Sequence, residues 1–143
     1  MAGFVRGLQE AIDCGKYLPM WSAQFDPQRQ LLQIEFAQAV PAQEAKDCAE
    51  RVTLLLADAE KGFALLTDLS QLQQMELTCR PWIDQMMDLL NAKGVRKVVR
   101  VIPNPEKDIG FGIMSLFHYR REVRVVTCKD MTEAKAHLPS SGT

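Results

Sequence analysis

The chain has 143 residues, of which 47% are hydrophobic and 24% charged, and these proportions are ordinary for one compact soluble domain. A chain of this length buries roughly 68% of the surface that its unfolded form exposes, so it needs neither disulfides nor metals to fold. Its 17 basic and 18 acidic side chains argue against a nucleic-acid binder driven by electrostatic attraction.

Charge is unevenly distributed along the chain. Residues 1–94 hold 8 basic and 13 acidic residues, a net charge of −5, whereas residues 95–143 hold 9 basic and 5 acidic residues, a net charge of +4. Such a polarity can orient the docking of a protein partner or of a second copy of the chain. It is equally compatible with a solvated surface on which exposed charges contribute little.

The cysteines and histidines argue against a metal site, because structural zinc sites use closely spaced pairs. The chain has four widely separated cysteines, no CxxC pair and two histidines: Cys14, Cys48, Cys79, Cys128, His118 and His137. The first residues lack the apolar core of a secretory signal, and no stretch approaches the ~20 apolar residues of a membrane span. We expect a cytoplasmic protein with reduced thiols, without a metal or cofactor and without membrane insertion.

The first elements are a helix and a hairpin. Residues 4–14 have a helical pattern that glycines weaken. Between Met20 and Ala37, apolar and polar residues alternate on both sides of Asp26-Pro27-Gln28-Arg29, which has the composition of a type I turn. This pattern predicts a β-hairpin.

A helix, a strand and a second helix are predicted next. Apolar residues recur every three or four positions from Pro41 to about Ala59, and Pro41 suits the first helical position. Residues 63–69 form an apolar run typical of a strand that is covered on both faces. After a loop, Pro81 opens a helix, and Gly94 suits its left-handed C-terminal residue.

The last third repeats this order. Residues 95–102 predict a strand, Pro103-Asn104-Pro105 a loop, and residues 109–117 a helix. Residues 123–126 predict the next strand. Asp130, with Glu133 three residues later, predicts the start of a closing helix.

This order predicts an α/β fold with a mixed, mostly parallel sheet of about five strands, an N-terminal β-hairpin and about four to five helices. The parallel strands require right-handed helical crossovers. No linker divides the pattern, so we expect a single domain over residues 1–143, with an N-terminal extension at 1–19 and a disordered tail at 139–143.

The chain resembles a STAS domain, the α/β module of anti-sigma-factor antagonists and sulfate-transporter tails, and especially its uncharacterised bacterial relatives grouped with Sec14-type domains. The resemblance covers roughly residues 20–138. Besides the element order it rests on three segments, which are Leu66-Thr67-Asp68-Leu69-Ser70, Pro81-Trp82, and the closing pattern from Arg121 to Ala134. It implies a STAS-like, SpoIIAA-like fold and a regulatory role in protein–protein interaction.

The resemblance also implies a serine that a partner kinase phosphorylates, in an Asp-Ser-Ser-Gly-like turn after the third strand. Asp68-Leu69-Ser70 matches the start of that region, but residues 71–79 read QLQQMELTC, without adjacent serines or a glycine. Thr78 is the hydroxyl nearest to the acceptor position. We therefore expect no stoichiometric phosphorylation of Ser70 or Thr78.

Several polar residues follow the predicted parallel strands, at the end where open α/β sheets usually bind ligands. They are Asp68, Ser70, Asn104, Thr127 and Lys129, and we expect them to share one rim. The simpler interpretation of Asp68 and Ser70 is that they satisfy backbone groups in a turn where the strand emerges.

Two arginines interrupt apolar strands, Arg100 and Arg124. A charge in such a strand must face solvent, pair with a carboxylate or meet a partner. We expect both on the same sheet face near one edge. The valines that alternate with them, Val99 and Val101 beside Arg100 and Val123 and Val125 beside Arg124, should face the core. A neighbouring basic region is predicted around His118, from Arg96, Lys97, Arg120 and Arg121; a solvated edge with local ion pairs is the alternative.

Two further motifs are weaker. Gly110-Phe111-Gly112 lacks the third glycine of a phosphate-binding loop and falls within a helical pattern. Cys79 beside Arg80, before a helix, is in a setting that can lower a thiol pKa. No base or resolving thiol lies nearby in the sequence.

The sequence favours a non-enzymatic interaction module that docks a protein partner or itself, as a homodimer, since no catalytic motif is present. The binding residues would be Asp68, Ser70, Thr78, Asn104, Arg100 and Arg124. The alternative is a carrier of a small apolar ligand or lipid, like Sec14-type domains, and a Cys79-dependent redox enzyme is a remote third.

Overall fold

Five strands form one sheet. A computed structural model describes residues 19–102 and 122–139. In chain order its elements are β1 (Trp21–Asp26), β2 (Leu31–Val40), α1 (Ala42–Leu55), β3 (Ala64–Met75), α2 (Arg80–Lys93), β4 (Lys97–Val101), β5 (Arg124–Cys128) and α3 (Met131–Lys135), with 3₁₀ helices at Leu56–Asp58 and Leu77–Cys79. The strand order is β1-β2-β3-β4-β5.

The sheet confirms the predicted fold class, because β1 and β2 are antiparallel and the remaining neighbours are parallel. The described residues contain three α-helices. The predicted helices at 4–14 and 109–117 lie outside the described residues, as does Asn104.

The helices α1 and α2 pack on one side of the sheet, the helical face. Their buried residues recur at three- and four-residue steps, as an amphipathic stripe requires: Ala45, Cys48, Ala49 and Val52 in α1, and Ile83, Met86, Met87 and Leu90 in α2. They share a core cluster with Ile34, Leu65 and Val98 of the sheet. Pro41 precedes α1 rather than forming its first turn.

The short helix α3 packs on β4 and β5 on the other side, the α3 face. Its Ala134 is buried with Val99, Val101 and Cys128. Asp130 begins the helix as predicted, because its Oδ1 accepts the Glu133 N–H at 2.8 Å. This bond satisfies one of the backbone donors that a helix start leaves free.

Strand β3 is longer than the sequence predicts. It continues to Met75, so most of the loop predicted after residue 69 is strand. Leu69, Leu72 and Met75 are all buried although they are three residues apart. A regular strand buries every second residue of one face, which is why this spacing did not predict a strand.

Two β-bulges reconcile that spacing with the sheet. Between Glu35 and Ala37, and again between Gln38 and Ala39, β3 supplies one residue more than β2. Each extra residue changes which side of the strand the next side chains occupy. The apolar residues of β3 are thereby returned to the core, and the intervening polar residues are placed away from it.

Two glycines give a matched test of the turns at the amino end of the sheet. Gly94 ends α2 with φ +87° and Gly62 precedes β3 with φ +96°. A Cβ at Gly94 would lie 2.6 Å from Lys61 Cγ, whereas one at Gly62 meets no atom within 4 Å. We expect Gly62→Ala to lower the free energy of unfolding by about 1–2 kcal/mol through backbone strain, and Gly94→Ala to lower it further. Equal losses in urea unfolding would contradict the close approach of Lys61.

Candidate functional site

Asp68 and Ser70 lie inside β3, so the prediction that they follow the strand in a turn is wrong. The strand continues through them because the bulge between Glu35 and Ala37 absorbs an extra residue there. Asp68 Oδ1 accepts the Ser70 N–H at 2.9 Å. The expected role of Asp68 in satisfying a backbone donor is therefore confirmed, at a bulge instead of a turn.

Thr78 is not part of the same site as Asp68. It lies in the 3₁₀ helix after β3, exposed, and its hydroxyl donates to Glu76 Oε1 at 3.2 Å. Met75, the last residue of the strand, is seven positions beyond Asp68, a path of roughly 20 Å. The residues from Asp68 to Thr78 are thus spread along β3 and the 3₁₀ helix that follows it, and they do not form one compact turn.

The predicted rim is divided between the two faces of the sheet, because Thr127 pairs with Arg100 on the helical face whereas Asp68 lies on the α3 face. Asp68 is in register with Val101, and Val101 with Cys128. Thr127 and Lys129 flank Cys128 in the chain. Asn104, predicted for the same rim, lies outside the described residues.

Arg100 and Arg124 lie on opposite faces of the sheet, so the prediction of a common face is wrong. Residues paired across neighbouring strands share a face, and Arg100 pairs with Thr127 while Arg124 pairs with Lys97. Arg124 is thus three residues out of register with Arg100, and an odd offset reverses the face. The matching apolar patterns around the two arginines did not reveal this offset.

Each arginine has a different environment. Arg100 is half-buried, and its Nε donates to Thr127 Oγ1 at 2.8 Å. Arg124 is exposed at the amino end of β5. Val126, on the same face as Arg124, packs against the α3 cluster, whereas Val125 is 38% exposed. Of the two valines beside Arg124 expected to face the core, Val123 does pack against the helical-face cluster, whereas the expected burial of Val125 is wrong.

Two carboxyl groups face each other across β2 and β3. Glu35 and Asp68 are paired in register on the α3 face, and both are half-buried. Burial raises the pKa of Glu35, and the charge of Asp68 and the hydrogen bond between the two groups raise it further. Among the described residues the ion pairs are Arg29–Asp26 and Arg80–Asp84. No cation of that set compensates this carboxylate pair.

The residues beside the carboxylate pair are also polar. Ser22 pairs with Glu35, and Gln24 pairs with Gln33. These side chains are exposed or half-buried. They lie on the α3 face because Gln33 and Glu35 are two residues apart on β2, and residues paired across strands share a face. We call the surface of Ser22, Gln24, Gln33, Glu35 and Asp68 the polar sheet surface.

A cleft of about 530 Å³ lies at the other end of the sheet, where the parallel strands begin. It is lined by residues of the hairpin turn, the starts of β3, β4 and β5 and the segment after α3: Arg29, Gln30, Gly62, Ala64, Arg96, Lys97, Glu122, Arg124, His137, Leu138 and Pro139. We call it the basic cleft. The sequence analysis predicted Arg96 and Lys97 in a basic region but did not include Arg29 or His137. The other predicted members, His118, Arg120 and Arg121, lie outside the described residues.

Cys79 is not the activated thiol that its position before a helix suggested. Its side chain is fully buried, and its Sγ donates to the Val40 carbonyl at 3.4 Å. Burial raises the pKa of Cys79, and the nearby Glu76 charge raises it further. The described residues also contain no group of three or more potential metal ligands.

Comparison with known proteins identifies the fold. No family model matches the chain, and no curated protein matches it. A solved structure does, an uncharacterised DUF3478-family protein with a SpoIIAA-like fold from Shewanella loihica PV-4. The TM-score is 0.61 at 13% identity, over 86% of this chain and 97% of that one.

The chain therefore has a SpoIIAA-like, STAS-like fold. This agrees with the resemblance read from the sequence. Among the described residues, no helix has the length and apolar character needed to cross a membrane.

Proposed function

We propose that this chain is a non-enzymatic interaction module of the STAS type, which docks a protein partner on the polar sheet surface. The observation that carries the proposal is the pair formed by Glu35 and Asp68. Their register across β2 and β3 places two carboxyl groups side by side. The STAS-like fold supports an interaction role in general, and the pair supports this location.

Within the part of the chain that the structure describes, no ion pair offsets the two carboxylates. Like charges directly opposite each other on neighbouring strands destabilise a sheet. Burial raises the pKa of Glu35 and the charge of Asp68 raises it further, because ionising a half-buried carboxyl beside another carboxylate is costly. A partner that places a cation between the two carboxylates would convert this repulsion into attraction.

The proposed partner is thus a protein that presents arginine or lysine side chains. A charged, half-buried surface of this kind favours orientation and specificity over affinity. A second copy of the chain is one such protein, because its residues 95–143 are net basic. Cytoplasmic regulation fits this role.

The carrier alternative requires an apolar cavity between the sheet and its helices. Between the sheet and α2, the cavity lined by Ile34, Phe36, Leu65 and their neighbours holds about 10 Å³. That is about the space of one water molecule, far below the roughly 300 Å³ at which small-molecule pockets begin. Among the described residues, the close packing of α2 on the sheet favours the interaction module over the carrier.

Affinity capture from the native host tests the proposal with two matched variants. Glu35→Gln/Asp68→Asn removes the carboxylate pair, whereas Glu50→Gln/Asp88→Asn removes the same charge from exposed positions on α1 and α2. We expect a stoichiometric protein partner with the wild type and the helix variant, and at least a roughly tenfold loss with the sheet variant. Equal capture by all three proteins, or an enzymatic activity that tracks either carboxylate, would refute the proposal.

The sheet variant should remain folded, which makes its loss of binding interpretable. The pKa of Glu35 in the folded protein is raised above its ordinary value of 4.5. The wild type therefore loses stability as the pH rises from that ordinary value through the folded-state pKa. The amide variant lacks this loss. We therefore expect it to be as stable as the wild type at neutral pH, or more stable by roughly 0.2–1 kcal/mol.

A further inference from the structure

The basic cleft concentrates positive charge. Lys97 and Arg124 are paired in register across β4 and β5, so two cations stand side by side on neighbouring strands. Arg29 reaches the same cleft from the hairpin turn, where its Nε donates to the Pro139 carbonyl at 3.1 Å. Arg96 contributes a fourth cation from the residue before β4.

These charges are weakly compensated within the described residues. Arg29 has a distant contact of 4.0 Å with Asp26. Arg96, Lys97 and Arg124 have no ion pair there. Among the described residues that line the cleft, Glu122 is the single carboxylate, so the lining carries a net charge of +3 from four cations and one anion.

Two of the residues that line the cleft have little or no side chain. Gly62 and Ala64 lie between the hairpin turn and β4. The Cα of Gly62 faces open space, since a Cβ there would meet no atom within 4 Å. A cleft of about 530 Å³ falls within the size range of small-molecule sites.

We propose that the basic cleft binds the phosphate group of a phosphorylated ligand, with Lys97 and Arg124 as its principal contacts and Arg29 and Arg96 at its sides. Guanidinium groups bind phosphate through paired hydrogen bonds, and an ammonium group adds a compact charge. A phosphate has enough charge and acceptor atoms for several cations, whereas one arginine already satisfies a carboxylate. The chemistry of the lining therefore favours phosphate.

This site is separate from the polar sheet surface, so the two proposals stand independently. On β3, Ala64 at the cleft and Asp68 of the carboxylate pair are four residues apart, about 13 Å along the strand. The cleft also lies at the amino ends of the parallel strands, opposite to the end at which α/β sheets usually bind ligands.

Titration calorimetry with inorganic pyrophosphate at low ionic strength tests the inference. We expect saturable binding to the wild type, weakened roughly tenfold or more by Arg124→Ala and by Lys97→Ala. Lys129→Ala is the matched control, since it removes one exposed cation from the far end of β5 and should leave binding unchanged. Circular dichroism will verify that each variant is folded.

A second arm identifies the source of the phosphate. Phosphatidylcholine vesicles with and without phosphatidic acid present the group as a lipid headgroup. Binding that requires phosphatidic acid and Arg124 supports the site with a lipid source, and binding of pyrophosphate alone supports it with a soluble source. The inference is overturned if neither probe binds, or if Lys129→Ala weakens binding as much as Arg124→Ala, which would indicate general charge attraction.

Discussion

Replacing Phe36 with alanine is expected to lower the free energy of unfolding by about 3–5 kcal/mol, the usual cost of deleting a buried aromatic ring. Phe36 is 1% exposed and packs in the helical-face core, where it lines a small cavity with Ile83 and Met86. It also pairs with Trp21 of β1 at the edge of the first bulge. Deleting it would leave space that neither strand can easily close.

Phe25→Ala provides the matched control. Phe25 is half-buried on the edge strand β1, so the same deletion should cost clearly less than at Phe36. Urea unfolding followed by circular dichroism measures both. Because small domains have a total stability of roughly 5–15 kcal/mol, the loss at Phe36 should be a large fraction of the total. Similar midpoints for the two variants would contradict the packing described here.

The thiol of Cys79 is expected to be strongly protected from alkylation in the native protein. Its thiol is fully buried and hydrogen-bonded to a backbone carbonyl, so a reagent can reach it only when the protein opens. We expect alkylation of Cys79 at mildly alkaline pH to be at least roughly 100-fold slower in the native protein than in denaturant.

Peptide-resolved mass spectrometry measures this protection, and two other buried thiols serve as internal standards. Cys48 and Cys128 are also buried, and burial raises the pKa of each. The three thiols should therefore be protected together. Rapid native labelling of Cys79, with Cys48 still protected, would revive the redox role that its place before α2 suggested.

The sequence predicts an element well when the burial pattern is regular and local. The helix from Pro81 to Gly94 is such a case, because its apolar stripe and its left-handed terminal glycine act within one segment. The hairpin and the Asp130 cap are similar. The continuation of β3 could not be predicted in this way, since the bulges beside Glu35 and Gln38 depend on the neighbouring strand.

The positions of the site residues could be predicted only where the pairing of neighbouring strands could be predicted. The pairing of Glu35 with Asp68 and of Lys97 with Arg124 depends on how far each strand slides against the next, and a shift of one residue reverses the face. The same uncertainty produced the wrong common face for Arg100 and Arg124. The contribution of Arg29 to the basic cleft could have been suspected, because a hairpin turn before β2 must lie at the amino end of that strand.

Native mass spectrometry of the protein freshly isolated from its own cells is the most direct test of the interaction-module proposal. We predict that the wild type retains a bound protein partner or a second copy, while the Glu35→Gln/Asp68→Asn variant, prepared identically, is a bare monomer. Raising the salt concentration before desalting should release the partner, because charge carries the contact. A stoichiometric small apolar ligand in both proteins, or a partner that the variant retains equally, would contradict docking through the carboxylate pair.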